Sequence, residues 1–451
     1  MSALQLAKGA SVGAPARVST LTTGGPVPAG QAIPRIKSHP GGTAASAGDS
    51  WRILHLFNRY RFFGGEEAAV IRMTAAMRDS GAQVEECFFA SEAWDKPGAP
   101  PKWQQAFLSL HNPAALERVR EMHRHLDSNF WLAHNLLPVL SPSVLREAGK
   151  QKNPIALYLH NYRPFSVSGS LWAGDRLAPG GLRKNFLREI VAGAWQDSVP
   201  RTAWMALVLH AAHSLGWYRR VDCWIAVSNF VRERFVEGGI SREKTHVLAY
   251  PFVASPHPPA EAKRGHFLFL GRLTVAKGVR VLLEAWRMVG ARLGDAAPKL
   301  VIGGEGELQD EVRAAAEASG GSIIYVGNVG GEAKKDLIAR SVAMIVPSVW
   351  WDPYPTVVYE AFDHATPVLA ARSGGLPESV SNNISGLLHE PGDAASLAGH
   401  VLQFHHDPHT AAGMGKAGRE WLLKNSGTAF WWDRFAEIAR EVQARHAVSH
   451  Q

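Results

Sequence analysis

The sequence predicts an α/β protein with two Rossmann-like domains, each a parallel sheet covered by helices. The chain has 451 residues, more than a single hydrophobic core usually supports, so two domains are expected. Hydrophobic residues make up 46% of it and charged residues 20%, which is enough apolar material for two cores. Short apolar segments alternate with helical segments in two successive series, and this alternation indicates parallel sheets. A proline-rich stretch at residues 250–265 separates the series and is the predicted linker.

The first 49 residues precede this alternation and are rich in Gly, Ala, Pro, Ser and Thr. They show no apolar periodicity and cannot bury enough surface to offset the entropy lost on ordering, so residues 1–49 are predicted to be a disordered tail. They also lack the continuous apolar core of a secretion signal. The longest apolar stretch, residues 204–217, contains His210 and His213 and is too short and too polar to span a bilayer. We therefore expect a cytoplasmic protein.

The first predicted domain comprises residues 50–255. Its strands are predicted at residues 51–57, 83–90, 129–135, 153–160 and 223–227, and its helices at residues 66–77, 141–150 and 228–239. Residues 161–221 interrupt this rhythm with a long loop followed by helical segments. The helix that carries His210 and His213 is interpreted as structural, or as part of a groove facing an acceptor or a membrane.

The second predicted domain comprises residues 256–427. Its strands are predicted at residues 266–271, 299–304, 322–327, 343–347 and 366–371, and its helices at residues 279–292, 307–319, 331–340 and 356–364. An aromatic-rich helix at residues 428–446 is expected to pack back on the first domain. Two consecutive domains of this kind place a ligand crevice at the carboxyl ends of their strands.

Positive charge is concentrated in the first half of the chain. Residues 1–250 carry 29 Lys and Arg against 19 Asp and Glu, whereas residues 251–451 carry 19 against 21, which together give the net charge of +8. A basic first half favours contact with an anionic membrane surface or an anionic acceptor, and an ordinary solvated surface is the alternative. Zinc-finger spacings, RNA-binding aromatic motifs and lysine-rich tracts are absent, so no nucleic-acid partner is expected. The two cysteines, Cys87 and Cys223, are far apart and indicate a reducing compartment.

The segment PSVWWDPYPTVVYEAF, residues 347–362, is the most informative motif. A strand ends there, a loop stiffened by proline follows, and a helix begins near Thr356. Asp352 lies in the loop and Glu360 eight positions later, so both carboxylates can point into one crevice and accept hydrogen bonds from sugar and ribose hydroxyls. Free amide groups at the helix start also favour a nearby anion. Alternatively, Asp352 caps the turn and Glu360 faces solvent.

Two further loops supply cations and close backbone approach. In GRLTVAKG, residues 271–278, Arg272 and Lys277 follow a strand and can neutralise a diphosphate, whose negative charge grows as it leaves. In GGEGEL, residues 303–308, Gly304 and Gly306 permit a ligand to approach the backbone, although the complete G-x-G-x-x-G fingerprint is missing. The alternative is that Arg272 and Lys277 are solvated surface charges.

These motifs, together with IIYVGNV, TPVLAARSGGLPE and GLLHEPGD, occur in an order that resembles the nucleotide-binding domain of glycosyltransferase family 4. In the first half, FFGGEE, LYLHNYR and VDCWIAVSNFVRERF resemble the glycine loop, the histidine strand end and the domain-closing segment of that family. The resemblance covers residues 51–445. It implies a GT-B fold, in which two Rossmann-like domains face each other across a cleft, and transfer with retention of anomeric configuration.

The resemblance also implies roles for individual residues. Arg272 and Lys277 are similar to the pair that binds the donor diphosphate, and Glu360 to the acid that binds ribose. Asp352 occupies the first position of the Glu-x7-Glu pattern, which contacts the donor sugar, and His160 is similar to a histidine that contacts this sugar near the reacting carbon. The remaining donor-binding positions implied are Gly64, Gly65, Gly304, Gly306, Val326, Gly327, Asn328, Val329, Tyr354, Pro355 and Thr356.

Two departures from the family put the usual sugar preference in doubt. Asp replaces Glu at position 352, which shortens the side chain by one methylene group, and Pro355 replaces a common glycine and offers no amide N–H. His160 has a structural alternative, since a histidine at a strand end is often a hydrogen-bonded core residue. His405, His406 and His409 resemble a metal cluster only superficially and are interpreted as an exposed helix end.

The expected function is transfer of a hexose from a nucleotide-diphosphate sugar to a saccharide or lipid-linked acceptor, in cell-surface polysaccharide biosynthesis. No cofactor and no obligatory metal are expected, because Arg272 and Lys277 supply the positive charge. The alternatives are a GT-B epimerase or hydrolase and a nucleotide-sugar-binding protein without turnover. A nicotinamide oxidoreductase would require the complete dinucleotide fingerprint, which the sequence does not contain.

Overall fold

Two parallel sheets form the framework of the protein, as predicted, and each has six strands rather than the five predicted. The structure is a computed structural model that describes residues 50–60, 64–256 and 264–449, so the predicted disordered tail lies outside it. Its strands are β1 (Arg52–Arg59), β2 (Gln83–Ala90), β3 (Phe130–Ala133), β4 (Ile155–Leu159), β5 (Trp172–Ala173), β6 (Arg176–Leu177), β7 (Cys223–Ala226), β8 (Thr245–Val247), β9 (His266–Leu270), β10 (Lys299–Gly303), β11 (Ile323–Gly327), β12 (Ser341–Val346), β13 (Val368–Ala371) and β14 (Gly386–His389).

In both sheets, the direction in which successive strands are added across the sheet reverses once. The first sheet runs β2-β1-β3-β4-β7-β8 and the second runs β11-β10-β9-β12-β13-β14, while β5 and β6 form a separate hairpin. The order therefore reverses between β1 and β3 in the first sheet and between β9 and β12 in the second. In open α/β sheets the loops at such a switch point diverge and leave a crevice at the carboxyl ends of the strands. The central strands β3 and β4 are buried throughout, because helices cover both faces.

The helices follow the strands in the alternation that the sequence predicts. They are α1 (Gly65–Asp79), α2 (Lys102–Leu110), α3 (Pro113–Leu126), α4 (Ser143–Lys150), α5 (Leu187–Val191), α6 (Val199–Ser214), α7 (Asn229–Glu237), α8 (Val279–Leu293), α9 (Gln309–Ala318), α10 (Gly331–Ala339), α11 (Val357–Asp363), α12 (Leu376–Ser379), α13 (Ala394–His406), α14 (Pro408–Asn425) and α15 (Thr428–Ser449). Among the described residues, none of these helices is sufficiently long and apolar to cross a membrane.

The last helix, α15, returns to the first sheet, which confirms the expectation for the aromatic segment. The ring of Phe435 packs edge-on against Phe130 of β3 at 5.9 Å. The Trp431 indole N–H donates to the hydroxyl of Tyr158 in β4 at 3.3 Å, and the Gln443 amide donates to a main-chain oxygen near β3. The first domain, meaning the part built on the first sheet, is thus completed by the C-terminal end of the chain.

Candidate active site

The switch point of the second sheet brings two predicted site residues into contact. Lys277 lies in the loop between β9 and α8, and Asp352 lies in the loop between β12 and α11. The Lys277 Nζ is 2.5 Å from Asp352 Oδ2, and the Ser348 hydroxyl donates to the same oxygen at 3.2 Å. Asp352 is buried, whereas the Lys277 side chain is 20% exposed. The predicted convergence of these two groups is therefore observed, as an ion pair.

Glycines fix the loops that carry this pair. Gly278 has φ +75°, and a Cβ there would lie 1.9 Å from the main-chain oxygen of Pro347. Gly374 has φ +61°, and its Cβ would lie 2.0 Å from the oxygen of Asp352, to which the Gly375 N–H donates. Only glycine combines a left-handed backbone with such close approach. Gly374, in the GGLPE segment, is a positioning residue to which the sequence analysis gave no role.

Arg272 and Lys277 lie in the same loop but differ in exposure and in their contacts. The Arg272 side chain is exposed and, in the part of the chain that the structure describes, has no hydrogen-bond or ion-pair partner. Lys277 is engaged by Asp352, and its Nζ also lies 5.3 Å from the ring centroid of Trp350. Arg272 is thus available to bind an anion directly, whereas Lys277 must release the carboxylate of Asp352 before it can bind an anion.

The glycine-containing loop after β10 packs against the loop after β9. Gly304 has φ +134°, and a Cβ on it would lie 1.9 Å from the oxygen of Gly271, just before Arg272. Gly306 has φ +156°, and its Cβ would approach the oxygen of Leu273 to 2.5 Å. The Gly304 N–H donates to the oxygen of Gly327 at 2.7 Å, which joins the segment from Val326 to Val329 to the same group of loops.

Glu360 points toward a lysine that the sequence analysis did not select. Its carboxylate lies 2.6 Å from the Nζ of Lys334 in α10. Arg72 of α1 also faces it: burial lowers the pKa of the Arg72 guanidinium, while the attraction of Glu360 raises it. Lys334 follows the IIYVGNV segment and lies in the first turn of α10. Its position just after a recognised motif is the sequence feature that could have identified it. Glu360 is thus paired with Lys334, whereas Asp352 is paired with Lys277.

The glycine loop of the first domain meets the second domain at the start of α11. Gly64 precedes α1 and has open space where a Cβ would lie, while a Cβ on Gly65 would lie 2.9 Å from the hydroxyl of Thr356. Phe62 and Phe63 of the predicted motif lie outside the described residues. The predicted positions Gly65 and Thr356 are thus neighbours across the two domains.

The loop that precedes α11 is held from both domains. Tyr354 is buried and accepts a hydrogen bond from the hydroxyl of Tyr359 at 3.2 Å. The Ser228 hydroxyl of the first domain donates to the oxygen of Pro353 at 2.9 Å. Pro355 directly follows Pro353 and Tyr354, and its ring fixes φ at this position.

His160 lies directly after β4 and is 7% exposed. Its Nε2 is 2.7 Å from Nδ1 of His134, and its Nδ1 is 3.2 Å from the Tyr250 hydroxyl. Burial lowers the pKa of His160 to about 3, so its ring is neutral at pH 7. Both ring nitrogens have protein partners, as expected for a hydrogen-bonded core histidine. The position of His160 is nevertheless the one that the family resemblance implies for a histidine at the donor site.

Glu66 adds an acidic group beside His160 that the sequence analysis missed. It lies in the first turn of α1, and the Asn161 amide donates to its Oε2 at 2.8 Å. Within the described part of the chain, its Oε1 has no hydrogen-bond partner. Burial raises the pKa of Glu66 to about 7. Glu66, His160, Asn161 and Arg163 line a small pocket of about 20 Å³.

Comparisons with known proteins show what this chain is similar to. Residues 255–421 match the family model described as Glycosyl transferases group 1. A GDP-mannose-dependent alpha-(1-6)-phosphatidylinositol monomannoside mannosyltransferase of Mycobacterium tuberculosis is 29% identical over 259 residues, which cover 50% of this chain and 65% of the relative. The chain spans about half the length of the curated relatives it matches.

Two solved structures share the architecture. Sucrose-phosphate synthase from Thermosynechococcus elongatus aligns with a TM-score of 0.64 and 19% identity over 87% of this chain and 100% of that chain. HepE from Anabaena, solved in complex with UDP, aligns with a TM-score of 0.58 and 17% identity over 86% of this chain and 98% of that chain. The GT-B fold and the resemblance to this glycosyltransferase group are therefore confirmed.

Proposed function

We propose that this chain, in which residues 255–421 are a group 1 glycosyltransferase domain, transfers a hexose from a nucleotide-diphosphate sugar to a saccharide or lipid-linked acceptor with retention of anomeric configuration. The observation that carries the proposal is the arrangement at the switch point of the second sheet. The guanidinium of Arg272, which has no partner among the described residues, the ammonium group of Lys277 and close glycine backbone lie there in adjacent loops. UDP in the solved structure of HepE and GDP-mannose in the name of the mycobacterial relative support this class of donor.

Arg272 and Lys277 act on the leaving group in this proposal. The acceptor hydroxyl attacks the anomeric carbon from the face that the diphosphate leaves, so a carbon–oxygen bond forms to the acceptor while the bond to the phosphate oxygen breaks. The departing oxygen takes the acceptor proton, and a separate enzymic base is not required. Fixed cations stabilise the charge that develops on the diphosphate. We infer that they supply what a divalent cation supplies in other transferases, and that activity persists in EDTA.

Because Lys277 and Asp352 are paired with each other, donor binding must replace the partner of both residues. When a diphosphate takes the ammonium of Lys277, the buried carboxylate of Asp352 loses its ion-pair partner and, of its side-chain partners in the described part of the chain, keeps the Ser348 hydroxyl. Sugar hydroxyls are suitable donors to replace it, since a buried carboxylate without hydrogen bonds is costly. Diphosphate and sugar are therefore expected to bind cooperatively, and the nucleotide diphosphate alone to bind more weakly than the intact nucleotide sugar.

A donor panel tests the proposal directly. UDP-glucose, GDP-mannose and the corresponding diphosphates are screened for protection against thermal unfolding, because a ligand that binds only the folded form raises the melting temperature. Arg272→Ala and Lys277→Ala are expected to lose most of the protection and turnover. The matched control is Lys299→Ala, since Lys299 is an exposed lysine at the opposite, amino end of the same sheet. Full turnover in Arg272→Ala would contradict the assignment, and release of free sugar without acceptor dependence would indicate a hydrolase or epimerase.

We also infer a peripheral contact between the first domain and an anionic membrane. Helices α2, α5 and α6 pack together and expose large apolar side chains, Trp103, Phe107, Leu187, Val191 and Leu207. Residues 176–220 carry seven Lys and Arg against two acids, of which Glu189 is buried and accepts hydrogen bonds from the chain. Apolar side chains beside clustered positive charge match an anionic lipid surface.

Flotation with lipid vesicles tests this contact. The protein is expected to float with vesicles that contain phosphatidylglycerol and to bind weakly to pure phosphatidylcholine, because the charge contribution requires anionic lipid. Trp103→Ser combined with Leu187→Ser should reduce flotation, while Ile384→Ser, at an equally exposed apolar position of the second domain, should leave it unchanged. Equal loss in both variants would reject the assigned surface.

A further inference from the structure

Three buried histidines connect the candidate site to the interior of the first domain. His160 Nε2 is 2.7 Å from His134 Nδ1, and His134 Nε2 is 2.5 Å from His55 Nε2. His55 Nδ1 is 2.9 Å from the hydroxyl of Thr74 in α1. At the other end, His160 Nδ1 is 3.2 Å from the Tyr250 hydroxyl. The five side chains form one uninterrupted series of hydrogen bonds.

The sheet topology produces this alignment. His55 lies within β1, His134 directly follows β3 and His160 directly follows β4, and these are three adjacent strands of the first sheet. The three rings are 0%, 2% and 7% exposed, respectively. Burial lowers the pKa of His55 and of His160 to about 3 and that of His134 well below its ordinary value. All three rings are therefore neutral at pH 7, and each carries one N–H.

The direction of every hydrogen bond in the series follows from Thr74. Its hydroxyl donates to the main-chain oxygen of Val70 at 3.2 Å, which can only accept. The Nδ1 of His55 must then be the donor to Thr74, and the Nε2 of His55 must be an acceptor. His134 consequently donates through Nε2 and accepts through Nδ1.

The same reasoning fixes the ring of His160. It donates through Nε2 to His134, so its Nδ1 is an acceptor and receives the hydroxyl hydrogen of Tyr250. Tyr250 stacks on His160 with ring centroids 5.4 Å apart and meets Tyr354, in the loop before α11, edge-on at 6.0 Å. The series thus begins at α1 of the first domain and ends at Tyr250, whose ring contacts a predicted donor-binding loop of the second.

We propose that Thr74, His55 and His134 are positioning residues that hold His160 and Tyr250 in one tautomer and one orientation at the donor site. The proposal rests on the proposed function for its catalytic consequence, but the hydrogen-bond series is a property of the protein alone. A ring whose two nitrogens are interchangeable can rotate or change tautomer. Anchoring at Thr74 removes that freedom, and misplacement of a site group by about 1 Å is costly in rate.

Thr74→Val tests the hydrogen-bond series, because it keeps the shape of the side chain and removes the acceptor for His55. In the wild-type protein, ¹⁵N NMR of the histidine rings is expected to show the Nδ1–H tautomer for His55 and the Nε2–H tautomer for His134 and His160. In Thr74→Val, His55 loses its Nδ1 partner, so all three tautomers are expected to reverse. Unchanged tautomers in the variant, or protonated rings in the wild type, would overturn the series.

Turnover of the donor identified by the panel tests the positioning role. Thr74→Val should lower kcat by about tenfold or more with less change in the donor KM, and Thr74→Ser should restore it, because serine returns the hydroxyl. His134→Gln interrupts the series in the middle and should act in the same direction. The matched control is Thr202→Val, since Thr202 is also buried, bonds to the i−4 carbonyl and accepts one hydrogen bond, but lies in α6 away from the histidines.

The two proposals fail in distinguishable ways. Reversed tautomers with unchanged kcat in Thr74→Val would show that the series exists and has no positioning role. Absence of nucleotide-sugar turnover by the wild-type protein would instead contradict the proposed function, whatever the tautomers are.

Discussion

At the scale of single residues, Gly304 is a position where the backbone of the candidate site tolerates no side chain. Its φ of +134° is unfavourable for any L residue, and a Cβ would overlap the oxygen of Gly271 at 1.9 Å. Gly304→Ala must therefore displace the loop that carries Arg272. We expect it to lower the free energy of unfolding by about 2 kcal/mol or more and to abolish donor protection in a thermal shift measurement.

Gly290→Ala is the control for this prediction. Gly290 lies near the end of α8 with open space around a Cβ, so alanine should raise stability by up to about 1 kcal/mol through helix propensity. Equal behaviour of the two alanine variants would mean that close approach at Gly304 is unimportant.

The buried histidines also predict how stability depends on pH. In the folded state, burial lowers the pKa of His55 and of His160 to about 3 and that of His134 well below its ordinary value, whereas the unfolded chain has the ordinary value near 6.5. As the pH falls below about 6.5, the unfolded state binds protons that the folded state does not, so stability is lost toward acid. Each histidine contributes about 1.4 kcal/mol per pH unit in this window.

His55→Asn isolates one of these contributions. The variant should flatten the slope of the free energy of unfolding against pH between pH 6 and 4.5 by about 1.4 kcal/mol per unit, as measured by urea denaturation. His210→Asn, the same substitution at an exposed position, is the comparison. A slope in His55→Asn equal to that of the wild type would show that His55 titrates normally in the folded protein.

At the scale of secondary-structure elements, the position of α11 depends on one buried ion pair. Arg419 of α14 contacts Asp363 at the end of α11 through Nη1 and Oδ1 at 2.9 Å, and it donates to the oxygen of Ser255 at 2.7 Å. Arg419→Met leaves the Asp363 carboxylate buried without its cation. We expect a loss of about 3–5 kcal/mol in the free energy of unfolding, measured by chemical denaturation.

The exposed pair within α8 provides the comparison. Arg287 and Glu284 contact each other at 2.7 Å in solvent, and Arg287→Ala should cost less than about 0.5 kcal/mol. If Arg419→Met is no more destabilised than Arg287→Ala, the pair at Asp363 does not hold α11 in place.

Some of the secondary-structure elements and their contacts could be predicted from the sequence, and others could not. Strands such as β4, β9 and β13 are recognisable from the sequence because a strand buried on both faces is continuously apolar, and the strand–helix alternation indicates the parallel sheets. Helices α2, α3, α13 and α14 were not predicted. The Lys277–Asp352 contact could be anticipated from strand ends, whereas the Lys334–Glu360 contact depends on how α10 and α11 lie side by side. The histidine series depends on strand order, which the sequence does not state.

At the scale of the whole molecule, the two domains are joined by contacts at the ends of their helices. Glu378 of α12, in the second domain, accepts hydrogen bonds from the main-chain N–H of Asn229 at 2.8 Å and of Phe230 at 2.7 Å, at the start of α7 in the first domain. The amide of Asn229 donates to the same carboxylate. These N–H groups are ones that a helix leaves unsatisfied, and the helix dipole favours the negative charge. Tyr162 adds a hydrogen bond to the oxygen of Trp351 at 3.0 Å.

Glu378→Ala should therefore favour a more open arrangement of the domains. Three hydrogen bonds at the first turn of α7 are lost, while neither sheet is touched, so the radius of gyration from small-angle X-ray scattering should rise with little change in melting temperature. The donor KM should rise as well, because closure brings Gly65 to Thr356 and completes the site. Glu332→Ala is the control, since among the described residues Glu332 pairs only with Lys335, on the exposed face of α10. Indistinguishable scattering curves for the two variants would mean that other contacts, such as that of Tyr162, suffice to keep the domains together.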